Sequence, residues 1–370
     1  MPKSTSKSFN FAKLPYVARV KAIKAMNPRE VINLALSSKD CEETIKSIRF
    51  EALKPVLSLK KVGAGFATFA RGKQCLWMFK NQLDEQFANK VVALRSGQFW
   101  HVEPQTVVCH GKNEAKCLME LSNLFVDLFR IDEFEKVTLD TETMGRSARV
   151  YLEKLKVQKT GYLSIHGEKR IMWSQLTYII DRLQIKESIK VKSRIQGKVD
   201  LSKFDGFEKV RIRHDGPWIH GENLQKFNAI HGCFSKTLVG DAEVVAFVKN
   251  WLNGGNPNLR ILELGRYEDA PDFDRDSIVG RLDVFSWSPK KRDPKYTYFD
   301  RKIREINCIE ALDVERSDGT IATLKFRQHK FTFLVWPERF PSRNKERIAD
   351  WKGKVRDAAE ITEEYMRIWR

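Results

Sequence analysis

A short apolar template that recurs along the middle of the chain constrains its fold more than any other feature. Its copies are Phe134-x-x-Val137-x-Leu139, Phe207-x-x-Val210-x-Ile212 and Leu259-x-x-Leu262-x-Leu264, with shorter copies at Leu163-x-Ile165 and Ile189-x-Val191. Apolar residues at alternating positions predict strands that each have a buried face. The anchors at positions 137, 163, 189 and 210 are 26, 26 and 21 residues apart, a spacing typical of strand-and-helix repeat units.

Apolar residues at helical spacing fill most of the gaps between these strands. They predict helices over 145–157, 168–184 and 241–252, and Asp241 is in the position of an N-cap. The predicted fold class is therefore α/β, with an irregular leucine-rich-repeat-like domain over residues 127–340. The domain is expected to be irregular because the asparagine ladder of regular repeats is absent. An ordinary α/β sheet is the alternative.

The segment 51–126 has a different pattern, in which runs of alternating apolar and polar residues break at glycine. Two such runs are SLKKVGAGFATFARGKQCLWMF and NKVVALRSGQFWHV. This pattern is typical of β-hairpins, and Gly63 and Gly65 fit a turn or bulge between two strands. A helical pattern follows over EAKCLMELSNLFVDLF. We therefore expect 51–126 to be a short β-rich connecting region.

The C-terminal segment 341–370 is expected to form a charged amphipathic helix. Its apolar positions step by three and four residues, which places them on one side of a helix. They are Ile348, Trp351, Val355, Ala358, Thr362, Tyr365 and Trp369. Gly353 weakens the helix, and we expect the apolar stripe to dock on the body of the protein or on a partner helix.

Residues 9–50 predict a head of three short helices. Pro15 suits the first turn of a helix, where no backbone donor is needed. Asn27 followed by Pro28 marks the start of the second helix, and Ser38 is a cap for the third. About 40 residues are too few to bury a substantial core, so a head of this size is usually completed by a partner. A helical cap on a larger domain is the alternative.

The head resembles the F-box, a family in which a Leu-Pro opening and the apolar second and third helices bind the Skp-type adaptor of a cullin ubiquitin ligase. The matching residues, which the resemblance implies to be adaptor-binding, are Leu14, Pro15, Val20, Ile23, Met26, Pro28, Val31, Leu34 and Leu36. The family's usual Val-Cys-Lys-x-Trp ending is Ser37-Ser38-Lys39-Asp40-Cys41 here, without the tryptophan.

The stretch from 218 to 340 looks like the second type of F-box-associated domain, which follows degenerate F-boxes in one large family. The matching residues are Trp251, Leu252, Gly254, Leu259, Leu262, Asp318, Gly319, Ala322, Thr323, Phe333 and Trp336. Nearly all suit structural roles, such as core positions for Trp251 and Leu252 and a hairpin turn for Asp318-Gly319. Together the two resemblances imply a substrate-recognition subunit of an SCF-type ubiquitin ligase, with no catalytic activity and no cofactor of its own. Its partners would be a Skp-type adaptor, through it a cullin, and an unknown target protein.

The charge pattern predicts where a target binds. The net charge of +18 indicates an anionic partner, and residues 186–213 hold nine Lys or Arg against four Asp or Glu. If the apolar residues of the strands here face the core, the side chains between them face outward. These are Lys190, Lys192, Arg211 and Arg213, which we expect to bind an acidic or phosphorylated segment of the target. The alternatives are a solvated basic face and a basic nucleic-acid-binding protein, although no known nucleic-acid-binding module is present.

Common catalytic and metal-binding motifs are absent from the sequence. No P-loop, H-E-x-x-H or G-x-S-x-G occurs. The six cysteines form no C-x-x-C pair, so we predict no metal site. Four histidines precede glycine, where we expect strands to end in turns. No apolar run approaches 18 residues and no signal peptide is seen, so we expect reduced thiols, no membrane contact and a location in the cytoplasm or nucleus.

Overall fold

The computed structural model describes most of the chain, which divides into two compact units. The first unit comprises Met1–Thr138 and Thr143–Thr160, and the second comprises Leu139–Glu142 and Gly161–Arg370. The described residues are 11–26, 28–48, 50, 55–59, 65–70, 73–80, 92–93, 99–102, 106–110, 114–142, 149, 152–213, 219–299, 303–340, 347–349 and 355–357.

The described residues contain both helices and strands, as the α/β prediction requires. The α-helices are α1 (Tyr16–Ala25), α2 (Pro28–Ser37), α3 (Lys39–Ser47), α4 (Glu114–Phe129), α5 (Trp173–Arg182), α6 (Gly221–Lys226), α7 (Asp241–Leu252) and α8 (Arg275–Val279), with 3-10 turns at Phe11–Lys13 and Leu201–Phe204. The strands before α5 are β1 (Val56–Leu59), β2 (Gly65–Ala70), β3 (Lys73–Lys80), β4 (Val92–Ala93), β5 (Phe99–Val102), β6 (Thr106–His110), β7 (Phe134–Asp140), β8 (Lys159–His166) and β9 (Ile171–Met172). Those after it are β10 (Gln184–Val191), β11 (Ile195–Gln196), β12 (Lys209–Ile212), β13 (His231–Thr237), β14 (Ile261–Arg266), β15 (Phe285–Ser286), β16 (Lys295–Phe299), β17 (Ile303–Asn307), β18 (Leu312–Glu315), β19 (Ile321–Arg327), β20 (Lys330–Val335), β21 (Arg347–Ala349) and β22 (Val355–Asp357).

In the first unit, α1, α2 and α3 form a three-helix head. The Oγ of Ser38 accepts a hydrogen bond from the backbone N–H of Cys41 at 3.1 Å, which caps α3 as its sequence predicts. The helices bury a small apolar core. Its members are Ile23, Val31, Ile32, Ala35, Cys41, Ile45 and Ile48.

After the head, the first unit continues as a β-rich region. Strands β1, β2 and β3 pair antiparallel in chain order, β6 is parallel to β3, and β5 joins β6 to β4 in antiparallel pairs. The helical pattern that follows in the sequence corresponds to α4 over its whole length. On α4, Phe125 stacks on Phe129, whose ring also meets Phe50 edge to face.

The second unit has a mixed sheet in which parallel strands come first. Strands β10, β12, β13 and β14 lie side by side in chain order and are parallel. The sheet then continues with β20, β19, β18 and β15, each antiparallel to its neighbour. The leucine-rich-repeat-like prediction is not confirmed, although the parallel neighbours in chain order are compatible with it. The antiparallel continuation is not, so a mixed α/β sheet is the description that the structure supports.

One face of this sheet packs under the helices. Ile189 and Val191 of β10 and Val210 and Ile212 of β12 are at most 1% exposed, as their alternation predicts. On β20, Phe333 meets Phe247 and Trp251 of α7 edge to face, each with ring centroids 5.2 Å apart. Trp251 is therefore a core residue, as the sequence predicts, whereas Leu252 is half-buried.

The opposite face is covered at one end by a hairpin. Strands β16 and β17 pair antiparallel and form this hairpin. Tyr296 of β16 packs on Trp336 with ring centroids 5.1 Å apart, and its hydroxyl donates to the backbone carbonyl of Val335 at 3.2 Å. The cluster beneath the hairpin includes Ile261, Tyr298, Cys308, Ala311, Ile321 and Leu334.

The prediction of a C-terminal helix is wrong where that segment is described. Strands β21 and β22 pair antiparallel, with Ile348 opposite Arg356. Gly353 lies between the two strands and disfavours a helix, while Ile348 and Val355 are β-branched residues that suit strands. The rest of 341–370 lies outside the described residues.

Two predicted helix starts also differ from the structure. The helix predicted over 168–184 begins at Trp173, because Ile171 and Met172 pair as a strand with β11. Gly240, rather than Asp241, is the N-cap of α7. The reason is that the Asp241 carboxylate accepts a hydrogen bond from Arg266 at 2.8 Å instead of capping its own helix. Most of the helix predicted over 145–157 lies outside the described residues.

Candidate protein-interaction surfaces

The first turn of α1 exposes apolar side chains at the surface of the head. Leu14 is half-buried and Pro15 is exposed. The next two side chains were not among the sequence-predicted contacts, yet Tyr16 is 51% exposed and Val17 is 65% exposed. A run of exposed apolar residues at the start of a helix is a candidate contact surface for another protein.

Side-chain hydrogen bonds hold this turn against α3. The hydroxyl of Tyr16 lies 3.0 Å from the Oγ of Ser47, and Arg19 donates to the Oγ1 of Thr44 at 3.3 Å. The exposed turn is therefore held on α3, which reduces the conformational entropy that it would lose on binding a partner.

The other sequence-predicted adaptor residues take different positions in the head. Ile23 and Val31 are at most 1% exposed and belong to the core of the head. Val20, Met26 and Leu34 are half-buried. The side chains of Pro28 and Leu36 lie outside the described residues.

The four basic residues predicted to bind the target lie together on the second unit's sheet. Lys190 on β10 is paired in register with Arg211 on β12, so both side chains point to the face opposite the helices. Lys192 and Arg213 directly follow these strands, and the backbone N–H of Arg213 still donates to the carbonyl of Val191 at 3.0 Å. Together, Lys190, Lys192, Arg211 and Arg213 form the basic strip.

Arg211 is half-buried in the basic strip with little to neutralise it. Its buried Nε has no hydrogen-bond partner among the described residues. The nearby carboxylate of Glu263, on β14, is bound by Lys330 with Nζ–Oε2 at 2.6 Å. An arginine at a sheet surface whose Nε has no partner in the described part of the chain is suited to bind an anionic group from another molecule.

Next to the basic strip, His231 departs from the predicted pattern for histidines that precede glycine. It begins a strand rather than ending one, and it is 2% exposed. Burial, together with the charges of Lys209, Arg211 and Lys330, holds the pKa of His231 well below its usual range. Its Nε2 is 3.9 Å from Glu263, too far for a hydrogen bond.

Several basic residues on the same face were missed by the sequence reasoning. Lys325 and Arg327 on β19, and Lys330 on β20, alternate with Phe326 and Phe331, which pack on each other on the other face. The alternation is visible in the sequence. The pairing of β20 with β14 is not visible in the sequence, because these strands are far apart along the chain.

The described residues show neither a metal-binding cluster nor a membrane-spanning helix. No group of three or more His, Cys, Asp or Glu residues there is arranged to hold a metal ion. In the same part of the chain, no helix has both the length and the apolar character that crossing a bilayer requires. Cys41, Cys233 and Cys308 are free thiols.

Part of the chain matches a known protein family, and most of the chain is similar to two known proteins. Residues 202–264 match the F-box associated family. This match overlaps the region predicted to be an F-box-associated domain and begins earlier, at the 3-10 turn that precedes β12. It contains Arg211 and Arg213 of the basic strip, and also α6 and α7.

Two similar proteins come from Caenorhabditis elegans. Uncharacterized protein F59B2.8 is 22% identical over 92% of this chain and 80% of its own length. Uncharacterized protein F59B2.9 is 22% identical over 91% of this chain and 81% of its own length. No solved structure matches the chain.

Proposed function

We propose that the protein is a substrate-recognition subunit of an SCF-type cullin ubiquitin ligase. The observation that carries this proposal is the F-box associated match at residues 202–264, which lies after a head of three helices. In this proposal, the head binds a Skp-type adaptor and through it a cullin. The second unit binds the target protein.

The exposed turn of α1 is the proposed centre of the adaptor contact. Leu14, Pro15, Tyr16 and Val17 follow one another in the chain and expose apolar side chains fully or in part, and such side chains form the core of many protein interfaces. Val20, Met26 and Leu34 are only partly covered and could extend the contact. The buried Ile23 and Val31 would support this surface from the core of the head.

The basic strip is the proposed centre of the target contact. It lies on the face of the sheet that the helices leave uncovered. Arg211 brings to it a buried Nε donor that has no partner in the described ranges. Arginine binds carboxylate and phosphate groups through two parallel hydrogen bonds, so an acidic or phosphorylated segment fits this surface. Ubiquitin transfer itself would be carried out by the partners, and the chain needs no catalytic residue for this role.

Co-purification with a Skp-type adaptor tests the head. We expect the full chain to form a complex that is stable in size-exclusion chromatography. The double variant Leu14→Ala/Pro15→Ala and the single variant Val17→Asp should each weaken the complex by more than about tenfold, because each removes apolar contact. Leu238→Asp is the matched control, since Leu238 is 63% exposed but lies outside the head.

Two results would contradict the proposal. One is a complex with the adaptor that survives both head variants while Leu238→Asp weakens it. The other is binding of bulk nucleic acid that weakens steeply with salt and needs no adaptor, which is the behaviour expected of the alternative, a basic nucleic-acid-binding protein.

A further inference from the structure

The basic strip continues across the sheet into residues that are distant in sequence. Register pairs connect one row of side chains from β10 to β19, all on the face opposite the helices. The row is Lys190, Arg211, Cys233, Glu263, Thr332 and Lys325. A second row beside it contains Gly265, Lys330 and Arg327, and Lys192 and Arg213 begin it at the other end.

These two rows form the open face, and most of their charged side chains are basic. The basic side chains are Lys190, Lys192, Arg211, Arg213, Lys325, Arg327 and Lys330. Against these seven, Glu263 is the one acidic side chain in the rows, and Lys330 already binds it at 2.6 Å. Like charges on neighbouring strands repel each other, so a bound anion would relieve this repulsion.

Two buried groups at this face lack hydrogen-bond partners within the described part of the chain. The Nε of Arg211 and both ring nitrogens of His231 have no hydrogen-bond partner among the described residues. His231 and Arg211 lie on neighbouring strands, and the Arg211 charge acts on the His231 ring. A buried donor without an acceptor is destabilising. Arg211 is only half-buried, so its guanidinium can gain an acceptor from a bound target.

We propose that the open face binds an extended segment of the target rich in Asp and Glu, which crosses the strands from β10 to β19. The proposal rests on the target-binding role proposed above for the second unit. Neighbouring strands are about 4.8 Å apart, so the six strands span about 24 Å. An extended chain rises about 3.4 Å per residue, so about seven residues of the target would cover the open face.

The spread of the charges favours several carboxylates over one phosphate group. A single phosphate is bound by basic groups that converge on one point, whereas Lys190 and Arg327 lie at opposite ends of the open face. Nucleic acid is a poorer fit for another reason. The open face carries no aromatic side chain in its two described rows, and stacking on aromatic rings supports most recognition of single-stranded nucleic acid.

Fluorescence anisotropy with the full chain tests this proposal. The probe is a labelled twelve-residue peptide that alternates Glu and Asp with Ser, and the reference peptide has Gln and Asn in their place. Arg213→Glu and Arg327→Glu change opposite ends of the open face. Lys249→Glu is the matched control, because it makes the same charge change on the exposed side of α7.

We expect the acidic peptide to bind, the reference peptide not to bind, and the affinity to fall with salt. Arg213→Glu and Arg327→Glu should each weaken binding by about tenfold, because each turns an attraction into a repulsion. Lys249→Glu should weaken it by less than about twofold.

Three outcomes would overturn the proposal. If Arg327→Glu behaves like Lys249→Glu, the segment does not cross the sheet, although the basic strip could still bind the target. Equal binding of both peptides would show that carboxylates are not recognised. Binding of a singly phosphorylated peptide or a DNA oligonucleotide in preference to the acidic peptide would assign the open face to another ligand. None of these outcomes affects adaptor binding by the head, which the co-purification assay measures separately.

Discussion

Asp313 accepts two hydrogen bonds from the guanidinium of Arg292, with Nε–Oδ2 at 2.7 Å and Nη2–Oδ1 at 2.9 Å. Both side chains are fully buried. Arg292 also donates to the backbone carbonyl of Cys308 at 2.9 Å, and Asp313 accepts from Thr323 at 2.6 Å. Trp336 donates its indole N–H to the same threonine hydroxyl. This network joins the segment before the β16–β17 hairpin to the end strands of the sheet.

Removing one charge from this pair should destabilise the second unit strongly. Asp313→Asn leaves the Arg292 charge buried without a counter-charge, so we expect a loss of about 3–5 kcal/mol in the free energy of unfolding. Urea unfolding followed by tryptophan fluorescence measures it, since Trp336 lies in the network. The control is Glu305→Gln, which removes an exposed pair with Lys295 and should cost less than about 1 kcal/mol.

The double variant Arg292→Met/Asp313→Leu tests whether Asp313→Asn is unstable because it leaves a buried charge unpaired. Because it leaves no buried charge, it should recover much of the stability that Asp313→Asn loses. A double variant as unstable as the single one would contradict the role given to the unpaired charge.

Two strand glycines on opposite faces of the sheet should respond differently to alanine. A Cβ on Gly232 would lie 2.5 Å from the Phe227 ring, whereas a Cβ on Gly265, on the open face, meets nothing closer than 3.6 Å. Gly232→Ala should therefore cost about 1–3 kcal/mol in the free energy of unfolding, and Gly265→Ala less than about 0.5 kcal/mol. Equal effects in urea titrations would contradict the assignment of the two faces.

Stability should fall in mild acid because of His231. Its pKa is depressed in the folded protein, chiefly by burial, so the unfolded chain takes up a proton more readily. The stability is present above the unfolded pKa of about 6.5 and is lost as pH falls below it. Between pH 7.5 and pH 5 the loss from this residue should reach up to about 2 kcal/mol.

Urea titrations at these two pH values check this expectation. His231→Gln should reduce the difference between them, whereas His220→Gln, at the exposed start of α6, should leave it unchanged. A difference that is the same in His231→Gln and the unsubstituted protein would assign the effect to other groups.

Substitutions of core residues in the head should lower its stability much more than substitutions of contact residues. Ile23 is fully buried, so Ile23→Ala should lower the free energy of opening of α1 to α3 by about 2–4 kcal/mol. Val17→Ala should change it by less than about 0.5 kcal/mol, because Val17 is exposed. Hydrogen exchange of the backbone amides measures both. If Val17→Ala opened the head as much as Ile23→Ala does, the first turn of α1 would be part of the core rather than a contact surface.

Local signals predicted much of the fold and part of the candidate site. The Ser38 cap of α3 and the alternation of Ile189, Val191, Val210 and Ile212 depend on neighbouring residues, and the structure has both. The predicted Asp318-Gly319 turn is confirmed as well, with Gly319 at φ +82° and the Arg316 N–H donating to the Thr320 carbonyl at 2.9 Å.

Features that depend on distant parts of the chain could not be predicted in this way. The pairing of β14 with β20 brings Lys330 to Glu263 across 67 positions, and no local pattern encodes it. The open face was therefore predicted only as far as the basic strip. In the C-terminal segment the reason is different, because spacings of three and four residues fit a helix as well as two short strands around a glycine.

The most direct test of the central claim is a three-component capture experiment. The acidic peptide is immobilised, and retention of a Skp-type adaptor is measured with and without the full chain. We predict that the adaptor is retained only when the chain is present. Val17→Asp and Arg211→Glu should each abolish retention, the first by loss of the adaptor and the second by loss of the peptide. Retention of the adaptor by both variants, or no retention with the unsubstituted chain, would contradict the account.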